Sequence, residues 1–392
     1  MRLTLVIHSM SSGGAERVVA TMANAWVARG WDITLLTLED GRELPFYPLD
    51  ARVVHRPLGI AGASAGTYQA VRSNWERVTT LRRAIRDSRP DVVVSFLDMG
   101  NVRVLLATRG LGLPTVVMEQ TDPGQKRLGW VWNGLRRALY PRASRLVVLS
   151  ETSRSFFPRS IQAKSVIIPN PIAIEPPVAD DEPRGEGRTV VAMGRFAPEK
   201  GFDVLLDAFA RIAPNHPDWR LVIWGDGPLR PQLESHRERL GLHDRVLMPG
   251  RTTDPFRELR RADLFAMSSR REGFPLALGE AMACGLPAVS FDCPSGPREI
   301  IRHGIDGLLV PDGDVIGLAA AMSRLMTDDA ERSRLAARAV EVNDRFGAER
   351  VLAQWEDLLR EVAGNRHAEL VDESLSARGE HTRGREPVVS QR

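Results

Sequence analysis

The chain has 392 residues, 43% hydrophobic and 26% charged, a globular composition long enough for two domains of roughly 150–200 residues each. No stretch approaches the roughly 18 consecutive apolar residues of a membrane span. Net charge is only +3, yet residues 1–170 hold 23 Lys and Arg against 13 Asp and Glu, while the remainder holds 30 against 37. A basic front half suits an anionic ligand or membrane face. No recognisable nucleic-acid-binding module is seen, which points away from nucleic acid as a partner.

In chain order, LTLVIH (3–8), DITLLTL (32–38), DVVVSFL (91–97), TVVME (115–119) and RLVVLS (145–150) read as buried strands. The first apolar run breaks at His8, too short for a secretion signal. Helical patterns fall at 15–29, 68–88 and 127–139, and this alternation implies a parallel sheet covered on both faces. After SVIIPNPIAIEPP (165–177) comes a stretch rich in Pro, Gly, Asp and Glu with linker composition. The alternation then restarts with RTVVAMG (188–194), RLVIWG (220–225), RVLMPG (245–250), DLFAMSS (263–269), PAVSF (287–291) and GLLVP (307–311).

The fold class expected is α/β, two tandem Rossmann-like doubly wound domains facing a cleft at the carboxyl ends of both sheets. The boundaries read as 1–170 for an acceptor-side domain, 171–187 for a linker and 188–345 for a donor domain. A C-terminal helix at 346–363 returns toward the first domain, and 364–392 is a polar tail expected to be disordered. Cys284 and Cys293 lack metal-ligand spacing and read as small apolar side chains in a reducing, cytoplasmic setting.

Three segments carry chemistry. SSGGAE (11–16) puts Gly13 and Gly14 at a strand-to-helix turn, where backbone amides and the helix N-terminus favour a phosphate. The alternative there is a plain tight turn. GRFAPEKG (194–201) contains Lys200, one of only three lysines against 50 arginines. A compact ammonium beside the planar fork of Arg195 suits a diphosphate, though the same residues could form a solvated charged loop. REGFPLALGEAMACGLP (271–287) places Glu272 in a loop and Glu280 eight positions later inside an Ala/Leu-rich helix. Gly273, Phe274, Pro275 and Leu276 lie at that helix start, where amides would face a phosphate.

With these three segments at corresponding points of two βα domains, residues 1 to about 363 resemble glycosyltransferase family 4, the retaining transferases of GT-B fold. The resemblance implies that Gly14 brings an amide to a donor diphosphate and that Arg195 and Lys200 neutralise it. It further implies that Glu272 faces the donor sugar, Glu280 the ribose, and Gly225 the nucleotide. Where many members carry a loop His, this chain has Glu119-Gln120-Thr121-Asp122-Pro123. That form resembles a branch building bacterial surface polysaccharides and lipid-linked oligosaccharides, and makes Glu119 the substitute candidate.

The implied function is transfer of a hexose or N-acetylhexosamine from a nucleotide-diphosphate sugar, UDP favoured, to a glycan or lipid-linked saccharide, without cofactor or metal. Asp312 and Asp314 read as turn and cap residues rather than metal ligands. The arginine-rich segment 127–145, with Trp130, Trp132, Leu135 and Leu139, suits either the inner membrane face or packing on the sheet. A nucleotide-sugar epimerase on the same fold and a non-catalytic nucleotide-sugar-binding partner remain as alternatives.

Overall fold

The computed structural model describes residues 1–62, 67–124, 128–173 and 188–380, with side chains described there except at 67–71 and 366–380. By internal contacts the chain divides into two units. The first comprises Met1–Met118, Gly129–Val147 and Ala353–Arg392; the second comprises Glu119–Leu128 and Val148–Leu352.

In the first unit, β1 (Arg2–Ile7), β2 (Asp32–Thr37), β3 (Val54–Pro57), β4 (Val92–Phe96), β5 (Thr115–Met118) and β6 (Arg145–Val148) lie in the order β3-β2-β1-β4-β5-β6. Every adjacent pair is parallel, with Leu5 level with Leu35 and Val94 across β1. β4 and β5 are buried along their whole length, which is why they read as unbroken apolar runs. Helices α1 (Gly14–Ala28), α2 (Thr67–Ser88), α3 (Asp98–Ala107) and α4 (Trp130–Leu139) accompany this sheet. On α1 the buried residues Val18, Val19, Met22, Ala23, Trp26 and Val27 recur at helical spacing and form one stripe.

The second unit contains the short strand β7 (Ser165–Ile167) and a six-stranded parallel sheet. That sheet is built from β8 (Arg188–Met193), β9 (Trp219–Trp224), β10 (Val246–Gly250), β11 (Leu264–Met267), β12 (Ala288–Asp292) and β13 (Gly307–Pro311). Its order, β10-β9-β8-β11-β12-β13, turns back on itself between β8 and β11. The β1/β4 boundary is the equivalent point of the first sheet, and ligands of such sheets bind outside the strand ends there. The helix Phe202–Ile212 buries Phe202, Leu205, Leu206, Phe209 and Ile212 against this sheet's core.

The strands expected from sequence are all present. β3 adds a short, mostly exposed edge strand ending in Pro57 that gives little apolar signal. Two boundaries differ from expectation. Contacts divide the units within β6, at Val147/Val148, and place the loop 119–128 with the second unit. The last helix runs Ala348–Glu380, past the Gly364 at which a disordered tail was expected. From Asn365 to Glu380 the chain has no proline and is rich in Ala, Glu, Leu and Arg, which favour a helix. Residues 174–187, most of the expected linker, and 381–392 lie outside the described residues.

Candidate active site

The loops leaving β8 and β11 meet at the point where the second sheet's order reverses. Lys200 closes a short 3-10 turn, Pro198–Lys200, after β8. Its Nζ donates to Glu272 Oε1 at 2.7 Å, and the Ser269 hydroxyl donates to the same oxygen at 2.6 Å. Little of either charged side chain reaches solvent, 25% for Lys200 and 9% for Glu272. The loops are cross-tied as well. Ser268 Oγ donates to the Lys200 carbonyl, and Arg270 N–H donates to the Glu199 carbonyl. The Arg270 guanidinium pairs with Asp203 at 2.6 Å.

Arg195 stands apart from the Lys200–Glu272 pair. Its guanidinium is 70% exposed and bonds Glu199 at 2.8 Å. Burial alone would raise the Glu199 carboxyl; the Arg195 hydrogen bond and charge outweigh it and hold the group below the ordinary glutamate value. Cys293 is buried, and that burial, reinforced by the Glu272 charge, pushes its thiol up to about 12.

Gly225 follows β9 and lies against the β8 loop, with φ +141° and the Gly194 carbonyl occupying the space a Cβ would need. Gly273 faces the loop after β5: a Cβ there would come within 2.5 Å of the Gln120 carbonyl oxygen. The Glu119 loop and the Glu272–Gly273 segment are therefore neighbours in the second unit. Glu119 is buried, as are Gln120 and Asp122. Asn170 donates to Gln120 Oε1, and Asp122 Oδ1 accepts from the Gly124 N–H as a turn-forming aspartate.

The helix Leu276–Ala283 has Pro275 at its N-cap, with Phe274 and Leu276 buried beside it. Glu280 is on this helix and only 2% exposed. Asp314 caps the helix Val315–Thr327 by accepting from the Gly317 N–H, as its turn composition implied.

Gly13 and Gly14 belong to the first unit, Gly13 as the N-cap of α1. The Glu16 carboxylate folds back over Gly13, into the space of an added Cβ, and accepts from the Ser11 hydroxyl at 3.4 Å. A carboxylate is favoured at this helix end by the partial positive charge of the N-terminus. Glu16 and Ser269 were not singled out from the sequence. A Glu in a first helical turn is ordinary, and Ser269 matters only because the loop brings it to Glu272.

On α4, Trp130 is 87% exposed, Leu139 is buried, and Trp132 is half-buried beneath the Arg103 guanidinium. Among the described residues no helix is long and apolar enough to cross a membrane.

Two parallel α/β sheets, each with a reversing strand order, make up a GT-B type fold. The description "Glycosyltransferase Family 4" matches residues 12–175 and "Glycosyl transferases group 1" matches 178–342. The chain belongs to this family of glycosyltransferases.

It is 34% identical over 400 residues to an exopolysaccharide phosphotransferase of Streptomyces coelicolor, covering 93% of this chain but 41% of that relative. A Campylobacter jejuni GalNAc-alpha-(1->4)-GalNAc-alpha-(1->3)-diNAcBac-PP-undecaprenol alpha-1,4-N-acetyl-D-galactosaminyltransferase is 27% identical, with 92% and 99% covered. The phosphatidyl-myo-inositol mannosyltransferase of Mycolicibacterium smegmatis is 31% identical, with 66% and 68% covered. Among solved structures, Anabaena HepE in complex with UDP and glucose matches the fold with a TM-score of 0.75 at 20% identity, covering 92% of this chain and all of that one.

Proposed function

We propose that this chain transfers a hexose or N-acetylhexosamine from a UDP-sugar, with retention at the anomeric carbon and without a metal. The acceptor is a glycan or polyprenyl-diphosphate-linked saccharide in bacterial polysaccharide or glycoconjugate synthesis. The observation that carries this reading is the Lys200–Glu272 pair at the β8/β11 reversal, 2.7 Å apart. UDP is favoured by the nucleotide in HepE. The lipid-linked acceptor is favoured by the undecaprenol compound named for the Campylobacter relative.

Breaking the bond between C1 and the diphosphate oxygen leaves positive charge on the sugar and negative charge on the phosphate. Stabilising that phosphate is the main electrostatic task. An ammonium has three donors. One holds Glu272, and the other two are available to phosphate oxygens. Arg195, exposed on the same loop, exchanges Glu199 for the diphosphate, and the amides at the start of the helix Leu276–Ala283 add a fixed dipole. Glu272, held by Lys200 and Ser269, accepts from a sugar hydroxyl, and Glu280 takes the ribose. The acceptor oxygen attacks C1 on the face the phosphate leaves, and its proton passes to that phosphate. Glu119 then serves as a carboxylate bordering the sugar. An inner-membrane acceptor would bring α4, with its exposed Trp130, to the cytoplasmic membrane face.

The test is calorimetric titration of UDP-, GDP- and ADP-sugars in a metal-free buffer, on the wild type and Lys200→Ala. UDP-sugars should bind selectively and lose at least tenfold in affinity in the variant. Absence of binding, or binding that needs Mg²⁺ or ignores Lys200, removes the site assignment.

A further inference from the structure

The reversal point of the first sheet carries charge that the donor site does not use. Arg77 on α2 and Arg103 on α3 converge on one oxygen, Asn74 Oδ1, at 3.3 and 3.4 Å. The other partners of Arg77 are backbone carbonyls, Ile60 O at 2.8 Å and Gly62 O at 2.6 Å. Arg103 lies 5.1 Å over the ring of Trp132 from α4, and its buried Nε has no hydrogen-bond partner among the described residues. Neither guanidinium forms an ion pair with another described residue, although the Asp98 charge acts on Arg103 and favours its charged form.

Two positive side chains packed side by side repel each other, and partial burial makes each costlier. Burial and then the Arg77 charge lower the Arg103 pKa. Burial and then the Arg103 charge lower that of His8, at the end of β1. The backbone is strained at the same strand ends: Leu97, which leads β4 into α3, has φ +70° although it is not glycine. Such strain collects at functional sites. Paired guanidiniums with donors to spare match a tetrahedral oxyanion, which fork geometry recognises well.

We propose that Arg77 and Arg103 form a binding site for a phosphate or diphosphate group, with Trp132 as its wall. The group is carried by the acceptor rather than by the nucleotide. That assignment to the acceptor rests on the transferase reading above; the anion site itself does not. The Trp132 face suits an apolar chain attached to the diphosphate, and it holds Arg103 in place by cation–π attraction.

Calorimetric titration in saturating UDP, which fills the donor site, separates the two. The probes are inorganic pyrophosphate and farnesyl diphosphate, on wild type, Arg103→Gln, Arg103→Lys, Arg77→Gln and Lys200→Ala. Pyrophosphate should bind the wild type and Lys200→Ala alike. It should weaken at least tenfold in Arg103→Gln and Arg77→Gln, and less in Arg103→Lys. UDP affinity unchanged in the two Gln variants shows that they are folded. Farnesyl diphosphate binding tighter than pyrophosphate assigns the site to a lipid-linked acceptor; equal affinity keeps the site and assigns it to a soluble phosphorylated one. Pyrophosphate binding that is absent, that ignores Arg103, or that vanishes in Lys200→Ala overturns the proposal. UDP binding that ignores Lys200 would overturn the donor reading and leave the anion site standing.

Discussion

At Gly225 the backbone sits at φ +141°, and the Gly194 carbonyl fills the place of a side chain. Gly225 N–H also donates to Gly250 at 2.8 Å, so the residue fastens β9 to β10 while its Cα presses on β8. Any side chain must twist the backbone and push the Lys200 loop away. We therefore expect Gly225→Ala to cost at least ~2 kcal/mol, from positive-φ strain together with overpacking, and to abolish UDP binding. Urea denaturation checks the first part and calorimetry the second; a midpoint matching the wild type would refute the packing argument. Cys293 allows a second test at this scale. A thiol pushed up to about 12 holds almost no thiolate at pH 8. Cys284, partly exposed, should react with a disulfide reagent in the native protein, and Cys293 only after denaturation. Fast labelling of both would show that Cys293 is not shielded. Lys200 was legible in the sequence because lysine is so rare there. Its bond to Glu272 was not, since those residues are 72 positions apart and only the strand order joins them.

The last helix shows what pattern reading does and does not give. Val351, Leu352, Trp355, Leu358 and Leu359 mark it as amphipathic, and all are buried. Its partners are far away in sequence and could not be read from it. Trp355 meets Trp26 of α1 edge-to-face at 6.3 Å, Glu356 pairs with Arg29 and Arg360, and the Arg360 guanidinium lies over Trp31. Glu361 pairs with Arg145 at the start of β6. The helix thus completes the core of the first unit from the far end of the chain. Trp355 is fully buried, so Trp355→Ala should destabilise that unit by about 3–5 kcal/mol, the range for large aromatic truncations. Thermal unfolding followed by circular dichroism reads this directly, and a loss below ~1 kcal/mol would mean the helix is dispensable. Strand positions were legible because buried parallel strands are continuous apolar runs. β3 was hidden because it is short and exposed, and Gly364 misled because a single glycine costs a helix only ~1 kcal/mol.

At the scale of the molecule, composition places a linker at 171–187 and a returning helix at 346–363, whereas the first unit contains three separate stretches of chain, one of them Gly129–Val147. Local composition marks linkers but carries no information about which distant segment a helix joins, so the return of residues 353 onward could be suspected but not fixed. This organisation has a thermodynamic consequence. Each unit has its own core, so unfolding need not be two-state. A ligand of the native second unit should raise only that unit's transition, by about 2.7 kcal/mol at a hundredfold excess over its dissociation constant. In scanning calorimetry UDP should move one transition upward in the wild type, and Trp355→Ala should lower the other. Combining the two should leave the UDP-induced shift unchanged, as expected for sites without shared partners. Lys200→Ala should erase the shift and leave the Trp355-dependent transition in place. A single transition that responds to both changes would mean that the two units unfold as one cooperative body.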